Sequence, residues 1–322
     1  MVSKLGLLER EQLFKLLAQN IPKRAIAKTL NRHPSTIYRE IKRINGEYSP
    51  IFAQNDALLK SKNSKKHKKL QNIEFQKYVK DRILLYWSPE QISNRLKIEY
   101  PNNRKMNVST ETIYQFIYSV ENGIEKARLI KYLRRRKKRR HSRKNKIEHR
   151  GKIINLTSIH DRPKSVNTRK EPGHWEGDLI VGKDHKTAIG TLVERKTRYT
   201  IIVPLIKKKD SYNTVKSFIQ VFNKLPKELK KSLTYDRGLE MAYHEMFTKA
   251  TDVPVYFADP HSPYQRGTNE NTNGLIRNFF PKKTDFSNFR EIDFYTVQDL
   301  LNNRPKKVLN YKTPQEAISK FI

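Results

Sequence analysis

The sequence has no cysteine, so disulfides and thiolate metal sites are excluded from the start. That absence suits a reducing compartment. No apolar run is long enough to span a bilayer. Near the beginning, Glu9, Arg10 and Glu11 interrupt any apolar stretch that could act as a signal peptide, so the expected location is the cytosol. Acid is scarce as well: 32 Asp and Glu face 67 Lys and Arg, a formal charge of +35. Such an imbalance points to a polyanionic partner, most often nucleic acid. The charge is also lopsided. Residues 1–172 hold 42 Lys and Arg against 15 Asp and Glu, whereas residues 173–322 hold 25 against 17. A generally basic surface would not be so uneven.

The 322 residues allow two or three domains. The expected organisation is a helix-turn-helix domain over 1–58 and a basic linker over 59–71. A second helical unit resembling a helix-turn-helix follows over 72–122. A basic linker gripping DNA phosphates then spans 123–172, before an α/β domain over 173–322. In the first unit Leu7, Leu8, Leu13, Phe14, Leu16 and Leu17 recur at helical spacing. Ile21 to Leu30 reads as a short helix, Asn31-Arg32-His33 as a tight turn, and Pro34 to Arg43 as a second helix. An inner face of Ile26, Ala27, Leu30, Ile37 and Ile41 turns Ser35, Thr36, Arg39 and Arg43 towards a DNA major groove. In the second unit Ser88-Pro89-Glu90-Gln91 carries a capping-box spacing. The run Lys131–Lys146 has 11 Lys or Arg in 16 residues and no acid. Charge this dense repels itself unless phosphates neutralise it, which singles out Arg134, Arg135, Arg136, Arg139 and Arg140 as DNA contacts.

From Gly173 the pattern changes. His174 to Val181, Ala188 to Glu194 and Tyr199 to Leu205 read as strands. A helix from Ser211 to Leu225, capped by Asp210, follows. Ser232 to Tyr235 and Val255 to Phe257 are short strands, and Glu270 to Phe280 is a helix stopped by Pro281. An antiparallel start followed by β-α alternation gives a mixed five-stranded sheet with flanking helices, the ribonuclease-H-like arrangement. The fold expected for the whole chain is therefore multi-domain, all-α units followed by this α/β domain.

Three acids in that domain lie on separate elements. Asp178 is within the first strand, Asp236 follows the fourth, and Glu270 opens a helix. Transfer of a phosphodiester needs an attacking oxygen in line with a leaving one, and two divalent ions about 3.5–4 Å apart can stabilise both. Mg²⁺ prefers hard oxygen ligands and keeps several waters, so two or three carboxylates suffice. Arg277, seven residues after Glu270, and Asn273, three after it, share its helix face and are candidate phosphate-positioning groups, as is Arg266. The residues alone leave rivals open: Glu176 has the face parity of Asp178, and Glu240 and Asp259 compete with Asp236 and Glu270. His174 and His261 are candidate ligands more often explained as hydrogen-bonded structural groups, and Trp175 suits a core.

The chain resembles bacterial transposases of the insertion-sequence-thirty family, which carry a DDE integrase-like catalytic core. The resemblance rests on Lys170 to Gly182 and Thr234 to Met241, and most densely on Tyr256 to Arg277. It extends to Leu301–Leu309, to Tyr311–Pro314 and to Pro34–Glu40 in the first unit. Lys283 and Tyr235 stand where glycine and tryptophan are more usual. The resemblance implies that Asp178, Asp236 and Glu270 are the catalytic, metal-binding triad, not Glu176, Glu240 or Asp259. It implies Mg²⁺ (or Mn²⁺), as two ions, and double-stranded DNA as partner, both the element's terminal inverted repeats and the target. It also implies cutting and strand transfer by a dimer or larger synaptic assembly, in a nucleoid-associated bacterial protein. A DNA-binding regulator without chemistry and a nuclease that cuts without joining are the rival functions.

Overall fold

A computed structural model describes residues 5–65, 72–120, 123–133, 153–205 and 210–322. The chain divides into two compact units, Met1–Gln76 and Lys77–Ile322.

The first unit contains α1 (Leu7–Ala18), α2 (Lys23–Thr29), α3 (Pro34–Ile41) and α4 (Pro50–Lys65). Between α2 and α3 the chain reverses through Asn31, whose φ of 51° lies in the left-handed region that Asn tolerates. His33 then caps α3 by accepting the Ser35 amide, with Pro34 in the first turn. Ile26, Ala27 and Ile37 are buried with Leu13, Tyr48 and Ala53, and Leu30 and Ile41 pack at the edge. The helix-turn-helix thus forms over the expected residues. α4 runs on to Lys65, past position 59 where a linker was expected. Lysine is a good helix former, so a lysine-rich stretch can continue a helix already begun.

The unit also buries a charge pair. Arg10 and Glu40 are 2% and 3% exposed, with Nε–Oε1 at 2.7 Å. Arg10 further donates to the Leu5 carbonyl and to Gln54. Arg43 closes the network, donating to Glu40 at 3.1 Å and to Asp56 at 3.0 Å. Buried charge is tolerated because every member is paired.

The second unit takes in most of α5 (Ile73–Leu84), then α6 (Pro89–Glu99), α7 (Thr110–Ser119) and α8 (Ile124–Tyr132), followed by the single turn α9 (Ser165–Thr168). Ser88 and Gln91 form the reciprocal capping box at the start of α6. Ile92 and Leu96 on α6 and Ile113, Phe116 and Ile117 on α7 are buried. α6 is fastened to the end of the chain. Arg95 pairs with Glu316 at 2.8 Å, and Lys307 and Tyr311 donate to Glu90 at 2.9 and 2.8 Å. These helices therefore belong to the same compact unit as the sheet, whereas the sequence had suggested a domain of their own. The partner residues lie more than 200 positions away, beyond the reach of any local pattern.

The sheet comprises β1 (His174–Val181), β2 (Ala188–Glu194), β3 (Thr200–Leu205), β4 (Ser232–Tyr235) and β5 (Val255–Phe257), in the order β3-β2-β1-β4-β5. β1–β2 and β2–β3 are antiparallel, and β1–β4 and β4–β5 are parallel. α10 (Ser211–Asn223) and α11 (His244–Thr251) contribute Val215, Phe218, Phe222 and Phe247 to a core with Trp175, Leu192 and Leu233. α12 (Gly267–Ile276) and α13 (Glu291–Asn302) contribute Leu275, Ile276, Phe294, Val297 and Leu301 to a second core with Ile180, Ile189 and Ile202. The short α14 (Pro314–Ile318) ends the fold. Because strand side chains alternate, Trp175 faces the first core and Ile180 the second. Gly177 is obligatory in this packing, since a Cβ there would meet the Tyr235 ring at 2.7 Å.

α12 begins three residues before Glu270 and ends at Ile276. Pro263–Arg266 forms a 3₁₀ turn that leads into it. After Ile276 the chain tightens through Arg277 to Phe280, so Pro281 follows a helix already ended.

Removing one partner of the buried pair in the first unit should be costly. Glu40→Ala leaves Arg10 buried without its carboxylate, and is expected to destabilise this unit by about 3–5 kcal/mol. Urea denaturation of the full chain, followed by helical signal, checks this. A midpoint unchanged from wild type would contradict it.

Candidate active site

β1 sends Glu176, Asp178 and Ile180 to the α12 side of the sheet. Their depths differ, and depth separates two acids of equal parity. Glu176 is fully buried and satisfied. It accepts from Arg195 at 3.0 Å and from the Asn269 amide at 2.9 Å. Asp178, two residues on, is only partly buried. One oxygen accepts from Asn273 at 2.8 Å, and the other lies 3.5 Å from Arg266 Nη1. Thr191 of β2 donates to both Asn269 and Asn273 at 3.0 Å, holding α12 against the strand.

Asp236 leaves β4 and enters a tight turn, accepting the Gly238 amide at 3.0 Å. Its second oxygen accepts from Arg266 Nη2, also at 3.0 Å. Arg266 therefore spans the two aspartates, while its Nη1 donates to the Gly177 carbonyl at 2.8 Å. Glu270 lies one helical turn beyond Arg266 and three residues before Asn273. Both of those neighbours touch Asp178, which places Glu270 on the same helical stripe. Its carboxylate is exposed, and it makes no hydrogen bond or ion pair among the described residues. Thus Asp178 and Asp236 are drawn together through Arg266, and Glu270 lies in the first turn of α12. Among the described residues no three His, Asp or Glu side chains already form a closed metal cluster.

Burial pushes the Asp178 carboxyl up to about 6; Arg266 opposes this and Asp236 reinforces it. Burial, reinforced by the same two aspartates, holds the proton on Tyr235, whose hydroxyl is buried without a partner among the described residues. Two half-buried carboxylates sharing one cation form a site that favours positive charge. Their oxygens are hard donors, of the kind a divalent cation takes.

The other candidates fall out as follows. Arg277 donates to the Val181 carbonyl at 2.8 Å and the Pro281 carbonyl at 3.3 Å, so it ties the end of β1 to the chain after α12. In the first unit Ser35 and Arg39 line a shallow groove with Arg24, Pro34, Tyr38 and Lys42. Thr36, on the first turn of α3, is half-buried. Arg43 instead faces inward to Glu40 and Asp56. It follows Glu40 by three residues, and the acid, not the helical face count, decides its direction. Arg24, Tyr38 and Lys42 escaped the sequence reading because the groove joins two helices. Arg134, Arg135, Arg136, Arg139 and Arg140 lie outside the described residues.

Among the rivals, Asp259 is taken up by His160 at 2.9 Å and Gln265 at 2.8 Å. Glu240 packs against Gly238 beside Asp236. His174 is buried against the Ser232 hydroxyl at 2.8 Å, and burial pulls its ring down to about 4. His261 sits at a φ of 58° in the turn after β5. Trp175 is core, its ring nitrogen donating to the Leu229 carbonyl at 2.8 Å.

Two family profiles match this chain: "Helix-turn-helix domain" over residues 2–43 and "Integrase core domain" over residues 168–263. Among curated proteins, "Transposase InsI for insertion sequence element IS30A" of Escherichia coli (strain K12) is 45% identical, over 100% of this chain and 85% of that protein. "Transposase for insertion sequence element IS1086" of Cupriavidus metallidurans is 40% identical, over 95% and 91%. "Transposase for insertion sequence element IS4351" of Bacteroides fragilis is 35% identical, over 98% and 95%. Among solved structures, the catalytic core domain of BIV integrase aligns with 46% of this chain and 95% of its own, at 16% identity and a TM-score of 0.36.

The raised Asp178 carboxyl has a sign that can be measured. A carboxyl whose folded value exceeds its unfolded one favours folding most below about pH 4. That advantage is lost as pH rises through about 6. In a chelator, Asp178→Asn should therefore gain on wild type by on the order of 2 kcal/mol between pH 4 and pH 7.5. Chemical denaturation at both pH values checks this. A stability difference flat across that interval would contradict it.

Proposed function

The chain belongs to the insertion-sequence-thirty family of transposases, and from that premise we propose that Asp178, Asp236 and Glu270 hold the divalent ions that drive DNA cutting and joining. It is a transposase with a helix-turn-helix DNA-binding domain and a metal-dependent integrase core. The observation that carries the residue assignment is the Arg266 bridge: two acids from separate strands share one cation beneath the stripe that carries Glu270.

Asp178 and Asp236 supply the fixed ligands, because β1, Asn273 and the Gly238 turn hold their oxygens. Glu270, free of other partners among the described residues, closes the set from α12. Bound there, one or two Mg²⁺ (or Mn²⁺) ions would activate the attacking oxygen and stabilise the leaving one. With the aspartate oxygens taken up by ions, the Arg266 guanidinium would be available to a DNA phosphate. Asn273 holds Asp178 and is a positioning residue.

The first unit binds the element's terminal inverted repeats through the exposed face of α3, with Ser35, Thr36 and Arg39 towards the groove. Arg43 stabilises that unit from within. The run containing Arg134, Arg135, Arg136, Arg139 and Arg140 adds phosphate contacts, so binding weakens steeply with salt. The target is double-stranded DNA, and joining two ends calls for a dimer or larger assembly. The division into 1–58, 72–122 and 173–322, with basic linkers at 59–71 and 123–172, is modified: α4 extends to Lys65, α8 (Ile124–Tyr132) and α9 (Ser165–Thr168) lie within the second of these linkers, and the second helical unit works as part of the catalytic body. No helix among the described residues is long and apolar enough to cross a membrane.

Strand transfer on a labelled terminal-repeat duplex with Mg²⁺ tests the reading. Wild type should give joined product. Glu270→Gln should lose it by at least about a thousandfold, in the range seen when a catalytic group is removed, while binding the duplex normally. Glu240→Gln should remain active. Joined product from Glu270→Gln, or its loss in Glu240→Gln alone, would move the third ligand to Glu240. Cut ends without joining would mark a nuclease.

A further inference from the structure

Four arginines near the start of α12 have no part in the chemistry above. Arg162, Arg169, Arg195 and Arg198 surround two clefts. One, of about 310 Å³, is lined by Arg162, Arg169, Arg195, His160, Tyr264 and Gln265, among others. The other, of about 300 Å³, is lined by Arg169, Arg198, Gly267, Thr268, Asn271 and Thr272, among others. Arg169 borders both.

Arg162 and Arg195 are 7% and 4% exposed. Their terminal nitrogens are partly spent inside the fold. Arg162 donates to Thr234 at 2.8 Å and Asn167 at 2.6 Å. Arg195 donates to Glu176 at 3.0 Å, and Arg198 to Thr268 at 2.6 Å. In Arg162, Arg195 and Arg198 alike, Nε is buried without a hydrogen-bond partner among the described residues. Buried donors are ordinarily satisfied, and three orphaned guanidinium nitrogens in one neighbourhood call for an acceptor.

The charge balance asks for an anion. The acids that offset these arginines are Glu176 and Glu194. Glu194 is occupied by the amides of Gly173, Lys196 and Thr197 and by the Thr197 hydroxyl. Among the described residues, these four cations against two acids leave an excess of two positive charges. Burial, with mutual repulsion among the arginines, pulls both Arg162 and Arg198 down to about 10. Guanidinium forks match phosphate geometry. Two clefts joined by an exposed arginine suit phosphates linked in series. On α12, Gly267, Thr268, Asn271 and Thr272 face away from the stripe of Arg266, Glu270 and Asn273.

We propose that these paired clefts hold consecutive backbone phosphodiesters of a DNA strand along the flank of α12 opposite its carboxylate stripe. The assignment to DNA rests on the transposase reading. The clefts would fix the strand's register without reading its bases.

The test uses the full chain in EDTA, so that no chemistry occurs. Binding is measured to a terminal-repeat duplex whose phosphates are replaced singly by neutral methylphosphonates. Wild type should lose about tenfold at one or two positions, as expected for a charge-assisted contact. Arg169→Gln should lose about as much on the unmodified duplex, with its salt slope reduced by about one. It should lose nothing further at those positions, and Arg169→Lys should recover part of the affinity. Arg169 is exposed, and its side chain makes no hydrogen bond among the described residues, so the fold should tolerate the change. Wild-type binding by Arg169→Gln, or losses that simply add, would overturn the proposal. Displacement of the duplex by inorganic phosphate at constant ionic strength, without methylphosphonate effects, would assign the clefts to a free anion and overturn the DNA assignment. The interference pattern does not depend on Glu270, so failure of the triad reading would leave it intact.

Discussion

Two carboxylates close together in a partly dry site need a cation between them or must hold a proton. In this fold that constraint is met by Arg266, which spans Asp178 and Asp236. The surrounding structure follows from it. β1 and β4 run parallel and adjacent in the middle of the sheet, so both aspartates emerge side by side where their pairing ends. α12 must begin close enough for Arg266 to reach both. The Thr191 hydroxyl, bonded to Asn269 and Asn273, sets that approach. The arginine marks where positive charge is favoured, and a divalent ion would satisfy the same oxygens more completely.

Burial sorts the acids into roles. Glu176 and Asp178 point the same way from one strand, two residues apart. Glu176 is sealed beneath Arg195 and the start of α12, where a charge survives only because it is paired. Asp178 lies at the rim, partnered but still open to solvent. A metal ligand needs that second condition, because it must exchange its partner for an ion. Arg10 and Glu40 in the first unit show the opposite case, a sealed pair whose purpose is to hold three helices together.

Much of this was legible in the residues. Whereas the three acids were set apart from their rivals only by the family resemblance, the strands of the sheet, the helix-turn-helix and the caps at Ser88 and Asp210 followed from local pattern. These features depend on short-range periodicity and hydrogen bonding, which a linear sequence displays directly. Choosing Asp178 over Glu176 did not follow from pattern, because parity is equal and only depth differs. Arg43 looked like a groove contact because helical spacing reports a face, not a buried acid three residues earlier. Arg277 looked free for phosphate, yet the Val181 carbonyl at the end of β1 claims it. The attachment of α6 to the chain terminus joins residues more than 200 apart, and nothing local announces it. The arginine clefts were likewise invisible, since Arg162, Arg195 and Arg198 meet only through the fold.

The central claim is that the oxygens now shared by Arg266 form the metal site. Anomalous diffraction from crystals of the protein soaked in Mn²⁺ tests it directly. A peak within about 2.2 Å of both Asp178 and Asp236 oxygens, with Arg266 withdrawn from at least one of them and Glu270 turned towards the ion, is the predicted result. Mn²⁺ bound elsewhere, with Arg266 still spanning the two aspartates, would contradict it.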